Sequence, residues 1–223
     1  MKMKKNLLEQ LKSLPHFSKD SLYQLGKQLG LADTTVDTYI SRYLKYKDII
    51  QLKKGLYVSS DFLSKNRGDI SYSFYLANII RTPSYVSSWS ALQFYNLTTE
   101  AIYNITSVTV KVTRNYKTKA GNFSYQSIKD NLFSDFSLIR GRPATPAPSA
   151  SSADKPSFTF NFFIASPSKA LLDLLYFKTH QFRGVRSKDI KALVEELRID
   201  IEEMDKKEQT KFYTMIKDRV KNE

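Results

Sequence analysis

The first 58 residues contain three short helical patterns followed by two strand-like runs, and this order restricts the fold more than any other feature of the sequence. Residues 3–14 place leucines on one stripe at helical spacing. Ser18 is a suitable N-cap for a second helix that ends at Gly30, and Asp33 is a suitable cap for a third. The short turn between the second and third patterns predicts a helix-turn-helix.

Two strand-like runs follow the third helix, at residues 49–52 and 55–58, with Lys53 and Lys54 at the turn between them. A solvated turn more commonly uses Asn or Asp. Three helices followed by a basic two-stranded hairpin are typical of a winged helix-turn-helix, whose third helix enters the major groove of DNA while the hairpin contacts the neighbouring backbone. The sequence therefore predicts such a domain over residues 1–67.

The polar face of the third predicted helix holds the candidate DNA contacts. On a helical wheel centred on Val36, the opposite face carries short hydroxyls and two cations. Arg can form two hydrogen bonds to guanine, and hydroxyls can reach phosphate oxygens. A solvated amphipathic face, or a winged helix that binds protein, is the alternative interpretation. With the hairpin lysines, the predicted DNA-binding residues are Thr34, Thr35, Thr38, Ser41, Arg42, Lys45, Lys53 and Lys54.

The distribution of charge favours an acidic partner for the N-terminal part of the chain. The formal net charge is +13, and residues 1–67 hold 13 Lys and Arg against 6 Asp and Glu. Residues 186–223 are balanced, with 10 of each sign. Because the excess lies toward the N-terminus, we expect nucleic acid as the partner of that end.

Other features of composition exclude several classes of protein. The chain has no cysteine, so disulfides, thiolate nucleophiles and cysteine-ligated metal sites are excluded. No apolar run approaches the roughly 20 residues that cross a bilayer. The basic start is followed by polar residues at 6–10, which does not fit a secretory signal. We expect a cytoplasmic protein that does not bind membranes.

The remaining sequence, residues 68–223, predicts a larger α+β domain. Alternating apolar residues at 105–113 and 157–164 indicate strands, and Ser166-Pro167 opens an apolar helix. Amphipathic patterns predict two C-terminal helices. We expect a small antiparallel sheet in this domain, and a flexible loop over the Pro/Ala/Ser-rich residues 141–157.

Candidate catalytic groups are few. The only histidines are His16 and His180, and neither stands in a metal-binding spacing. There is no phosphate-binding glycine loop and no nucleophile elbow. The sequence therefore predicts no enzyme activity and no cofactor. Asp173 stands out because it lies in an apolar run, where it needs a partner such as Lys169 four residues earlier.

Several short motifs follow the winged-helix pattern in a fixed order. They are KGLY at 54–57, YLAN at 75–78, PSYVS at 83–87, SAL at 90–92 and IASPSKALLDLLY at 164–176. Their order resembles the AbiEi family of antitoxins, the antitoxin halves of bacterial AbiE toxin–antitoxin systems that act in phage abortive infection. The resemblance covers residues from about 5 to 180, and only the Pro/Ala/Ser insertion departs from the family pattern.

The resemblance implies two activities. The N-terminal domain would repress its own operon by binding inverted repeats in double-stranded promoter DNA. The second domain would oppose a nucleotidyltransferase toxin encoded alongside, and type IV antitoxins of this kind need not bind the toxin stably. The alternative is a stand-alone transcriptional regulator whose second domain senses a ligand or dimerises. Candidate antitoxicity residues are the cations of a predicted basic loop and the buried pair, namely Arg114, Lys117, Lys119, Lys169 and Asp173.

Overall fold

The computed structural model describes residues 2–101, 103–141 and 159–220. Over those ranges the chain forms nine α-helices and two β-sheets, which confirms the predicted α+β class. The chain divides into two compact units. The first contains Met1–Ile70 and Tyr116–Asn122, and the second contains Ser71–Asn115 and Phe123–Glu223. The first unit thus includes a hairpin segment that the sequence-based division assigns to the other domain.

Three helices and a small sheet form most of the first unit. The sheet is antiparallel, with the strand order β1-β3-β2. Phe17 lies opposite Tyr57, and Ile49 lies opposite Ser59. The elements in chain order are α1 (Lys2–Leu11), β1 (Phe17–Ser18), α2 (Lys19–Gln28), α3 (Asp33–Tyr46), β2 (Ile49–Lys53), β3 (Leu56–Ser59) and α4 (Ser60–Lys65).

The core of the first unit is built from one apolar stripe on each helix and the inner side chains of the strands. In α3 the stripe follows helical spacing, so its polar residues are left on the opposite face. Burial of these side chains supplies the main stabilisation of the unit. The buried cluster consists of Leu7, Leu11, Phe17, Leu22, Val36, Ile40, Tyr43, Ile49 and Tyr57.

The two predicted helix caps of this unit have different outcomes. Ser18 is the N-cap of α2, and its Oγ accepts the backbone N–H of Ser21 at 3.0 Å, which confirms the prediction. The predicted cap Asp33 is wrong, because Ala32 is the N-cap and Asp33 is the first helical residue. A carboxylate in the first turn is also favourable, through the helix dipole, so the sequence signal for the two positions is similar.

Gly26 is required where α2 packs closely on α3. A Cβ built on Gly26 would lie 2.4 Å from Cγ2 of Val36, which is fully buried and β-branched. We expect Gly26→Ala to lower the free energy of unfolding by about 1–3 kcal/mol through overpacking, although Ala is the better helix former. Urea unfolding tests this, with Gln24→Ala on the exposed side of α2 as the control. Equal stability of Gly26→Ala and the parent would contradict the close packing.

The second unit contains a six-stranded sheet with helices. The strand order is β6-β7-β5-β4-β9-β8. A short 3-10 turn, Asp130–Leu132, precedes β8. The elements in chain order are α5 (Ile70–Ile80, whose first residue belongs to the first unit), β4 (Tyr85–Val86), α6 (Ser88–Phe94), β5 (Asn104–Thr109), β6 (Arg114–Thr118), β7 (Gly121–Ser127), β8 (Phe136–Arg140), β9 (Asn161–Ala165), α7 (Pro167–Lys178), α8 (Ser187–Glu196) and α9 (Lys206–Lys217).

The sheet of the second unit is larger than the predicted small antiparallel sheet, and it is mixed and not purely antiparallel. The pairs β4/β5 and β8/β9 are antiparallel, but β4 and β9 are parallel, with Val86 opposite Ile164. A parallel pair needs a long crossover connection, and here the crossover includes α6 and four further strands. Pairing between strands so far apart in sequence leaves no local signal. The two predicted C-terminal helices are confirmed as α8 and α9. Of the loop predicted over residues 141–157, only Gly141 lies within the described residues.

Helix α7 is buried around most of its circumference. All nine residues from Ser168 to Tyr176 are buried, and α6, α9 and β9 pack against the helix. Ser166 is its N-cap and Pro167 its first residue, as predicted. Glu208 of α9 accepts the backbone N–H of Ser168 at 3.0 Å, which satisfies another donor of the first turn. Among the described residues, no helix is both long and apolar enough to cross a membrane.

Candidate nucleic-acid interface

The exposed face of α3 brings most of the predicted DNA contacts together. Its opposite face buries Val36, Ile40 and Tyr43. Thr35 is half-buried at the edge, as expected from the wheel. Tyr46, which the sequence reasoning missed, ends the helix with 66% of its surface exposed. The exposed candidates on this face are Thr34, Thr38, Ser41, Arg42 and Lys45.

Two hydroxyls on this face are already hydrogen-bonded within the helix. Thr38 Oγ1 donates to the carbonyl of Thr34 at 3.0 Å, and Ser41 Oγ donates to the carbonyl of Asp37 at 3.0 Å. A hydroxyl has one proton, so these side chains can accept from a ligand but cannot donate without breaking the internal bond. Phosphate oxygens and the O6 and N7 atoms of guanine accept hydrogen bonds, so the protein must supply the donors. Arg42 and Lys45 are therefore the stronger donors of the face.

A polar cluster with no sequence signal fixes α3 against α2. Tyr23 donates its hydroxyl to Asp37 Oδ1 at 2.8 Å, and Lys19 Nζ lies 2.9 Å from the same oxygen. Hydrogen bonds from Lys19 and then Tyr23 hold the pKa of Asp37 below its usual value. Because the folded-state pKa lies below the unfolded value, the interaction stabilises the fold above the unfolded pKa, and this contribution is lost as the pH falls through the folded-state pKa. The cluster thus helps to orient the exposed face of α3.

The hairpin between β2 and β3 presents one exposed lysine at its turn. Lys54 is exposed, and Gly55 follows it with a φ of +77°, a left-handed conformation that favours glycine. Lys53 is the last residue of β2 and is half-buried. The two predicted hairpin lysines therefore have different surroundings, and Lys54 is the more accessible to a DNA backbone.

The predicted basic loop after residue 113 is a hairpin instead. Arg114 and Lys117 belong to β6, Lys119 lies in the turn, and β7 begins at Gly121. All three cations are exposed. β6 lies at the edge of the six-stranded sheet, where polar and basic residues are common. Its sequence therefore lacks the alternation of apolar residues that indicates a strand, and it resembles a loop.

The two remaining antitoxicity candidates form a buried ion pair. Lys169 Nζ contacts Asp173 Oδ1 one helical turn away, and their side chains are 2% and 1% exposed. The other carboxylate oxygen, Asp173 Oδ2, accepts hydrogen bonds from Tyr85 at 3.0 Å and Ser87 at 2.7 Å. This confirms Lys169 as the predicted partner of Asp173. A partner molecule cannot reach either group while the second unit is folded, so the geometry assigns the pair a structural role.

Burial and ion pairing shift the pKa of Asp173 in opposite directions. Burial raises the pKa of Asp173, whereas the ion pair with Lys169 and the hydrogen bonds from Ser87 and Tyr85 lower it. Burial also raises the pKa of Tyr85, with a further contribution from the negative charge of Asp173. The pair therefore depends on all of its partners being present.

Across the described ranges, no group of three His, Asp or Glu side chains is placed to hold a metal ion. No model of a protein family matches the chain, and no curated protein matches it either.

Proposed function

We propose that the first unit binds double-stranded DNA as a winged helix-turn-helix, with α3 in the major groove and the β2–β3 hairpin as the wing. The order α1, β1, α2, α3, β2, β3 supports this, since the β2–β3 hairpin follows the helical pair α2 and α3, and β1 adds a third antiparallel strand to that hairpin. The observation that carries the proposal is the exposed face of α3, which presents Arg42 and Lys45 away from the core.

Charge supports the same proposal. The first unit, including Tyr116–Asn122, holds 15 Lys and Arg against 7 Asp and Glu. Lysine and arginine that neutralise phosphates release bound counterions, and this release drives much of the affinity of DNA-binding proteins. A surface with this excess of cations attracts duplex DNA over distances of about a Debye length, roughly 8 Å at physiological salt.

We further propose that the chain is the antitoxin of an AbiE-like toxin–antitoxin system. It represses its own operon through inverted repeats in the promoter, and it neutralises a nucleotidyltransferase toxin. The support is the order of motifs, of which four fall on structural elements of the second unit. The segment 75–78 lies in α5, 83–87 contains β4, 90–92 lies in α6, and 164–176 spans the end of β9 and most of α7. Most of these residues are buried, so the resemblance concerns the core of the unit.

A combined growth and reporter assay tests the two activities together. The adjacent gene, which this proposal expects to encode a nucleotidyltransferase, is expressed alone and with the full chain, while a reporter follows the promoter of the operon. We expect the chain to restore growth and to repress the reporter. The variant Lys53→Gln/Lys54→Gln should lose repression and keep rescue, because the wing contacts only DNA. Repression without rescue would favour the alternative, a stand-alone regulator whose second domain senses a ligand or dimerises.

A further inference from the structure

We propose that the β6–β7 hairpin is a further DNA-binding element, which contacts the phosphate backbone through Lys117 and Lys119. The inference rests on the proposed DNA binding of the first unit and adds a sequence-independent contact to it. It assigns these lysines to the DNA and not to the toxin.

The hairpin has an unusual balance of charge. From residue 114 to residue 127 it contains three Lys and Arg and no Asp or Glu. Lys117 and Lys119 are exposed, and within the described part of the chain neither forms an ion pair. The two ammonium groups are therefore not neutralised by a described carboxylate and can bind an acidic ligand.

The two lysines lie close together at the end of the hairpin. Lys117 is in β6 and Lys119 is in the turn that follows it, and both are exposed, whereas Tyr116 and Thr118 beside them are half-buried. Backbone positions two residues apart are separated by at most about 7 Å. Two exposed cations this close in the chain can contact the same strand of a nucleic acid.

Hydrogen bonds hold the turn that carries Lys119. Thr118 Oγ1 donates to the carbonyl of Gly121 at 3.0 Å and accepts the backbone N–H of Ala120 at 3.0 Å. The turn is thus ordered before any ligand binds. Preorganisation of this kind reduces the backbone entropy that is lost when a loop is fixed at an interface.

The hairpin tip belongs to the unit for which DNA binding is proposed, and this favours DNA as its ligand. Tyr116–Asn122 belongs to the same compact unit as α3 and the β2–β3 hairpin, whereas Arg114 belongs to the other unit. Lysine is a compact point charge that suits phosphate contacts without sequence preference. A protein-binding surface would instead present aromatic anchors, and the exposed side chains of this tip are polar or basic.

Salt-dependent binding of promoter DNA tests the inference with the full chain. Fluorescence anisotropy gives the association constant at several salt concentrations for the parent, for Lys117→Gln/Lys119→Gln, and for the charge-matched control Lys206→Gln/Lys207→Gln on α9. We expect the slope of log K against log salt to become less steep by about 1.8 for the hairpin variant, since each phosphate contact contributes about 0.9. The control should keep the parental slope, and Lys117→Arg/Lys119→Arg should also keep it.

The same assay separates failure of this inference from failure of the proposed function. A hairpin variant with the parental slope, beside Arg42→Ala and Lys54→Gln variants that bind more weakly, would overturn the hairpin contact alone. If all of these variants bind like the parent, the proposed DNA interface is wrong as well. A hairpin variant that binds DNA normally but self-associates in gel filtration would show that the lysines only protect an edge strand. Loss of toxin rescue with unchanged DNA binding would assign them to a protein partner, which also overturns the inference.

Discussion

Replacing Lys169 with Met will lower the free energy of unfolding at neutral pH by about 3–5 kcal/mol, the cost of leaving a buried charge without its partner. Met fills a similar volume, so the loss does not come from a cavity. Asp173 then keeps only its hydrogen bonds from Tyr85 and Ser87. Urea unfolding followed by circular dichroism measures the difference from the parent.

The pH dependence of this variant identifies the cause. Without Lys169, burial raises the pKa of Asp173 further above its unfolded value of about 3.9. The folded variant then binds more protons than the unfolded chain, so its stability falls as the pH rises through the range between the two pKa values. The stability lost relative to the parent should therefore be smaller near pH 5 than near pH 8.

A double variant supplies the matched control for the buried pair. Lys169→Met/Asp173→Asn removes both charges but keeps an amide oxygen that can accept from Tyr85 and Ser87. We expect it to recover most of the stability that Lys169→Met loses, because no unpaired charge remains. If the double variant is no more stable than the single one, or if the single variant loses less than about 1 kcal/mol, the buried ion pair does not have the role described.

Replacing Arg42 with Ala will weaken binding to promoter DNA by about 1–3 kcal/mol, or roughly 5- to 150-fold, if its guanidinium binds a guanine as proposed. The loss should be concentrated at one base pair, since the variant no longer distinguishes substitutions there. Arg42→Lys should restore the charge but not the paired hydrogen bonds, and so should not restore specificity. Competition binding with single-base variants of the promoter duplex measures both effects.

Arg67→Ala is the control for Arg42→Ala. Arg67 is also exposed and also belongs to the first unit, but it follows α4 and lies outside α3 and the hairpins. Its loss changes the net charge by the same amount and should leave base discrimination intact. An Arg67→Ala variant that loses specificity as strongly as Arg42→Ala would show that charge alone explains the effect.

Features that depend on neighbouring residues could be predicted from the sequence. The cap Ser18, the start of α7 at Ser166-Pro167 and the pairing of Lys169 with Asp173 all involve residues no more than four positions apart. Their signals follow from helix geometry and from the cost of burying an unpaired charge. The buried and exposed faces of α3 could also be predicted from the sequence, because they follow from the helical period of 3.6 residues.

Features that depend on distant residues could not be predicted. Asp37 is bound by side chains 14 and 18 positions away, and Ser168 is bound by Glu208 forty positions away. On a helical wheel Asp37 is simply a polar residue beside the core stripe, and many pairings of such residues are equally compatible with the sequence. The parallel pairing of β4 and β9 is missing from the local pattern for the same reason.

The proposed contacts of α3 also change once side-chain hydrogen bonds are considered. The sequence places Thr38, Ser41 and Arg42 on one polar face and assigns the hydroxyls to phosphate oxygens and Arg42 to guanine. In the structure the two hydroxyl protons are used by the helix backbone, whereas the guanidinium of Arg42 is exposed. Specificity should therefore depend more on Arg42 than on the hydroxyls, which remain available as acceptors for the amino groups of bases.

Comparison of two duplexes tests the proposed DNA binding most directly. The full chain is titrated against a duplex from its own promoter and against a duplex of the same length and composition in permuted order, at physiological salt. We predict that the promoter duplex binds at least about 1,000-fold more tightly, the lower end of the range for specific DNA-binding proteins. Equal affinity for the two duplexes would contradict a sequence-reading role for α3, and the absence of measurable binding to either would contradict the DNA interface as a whole.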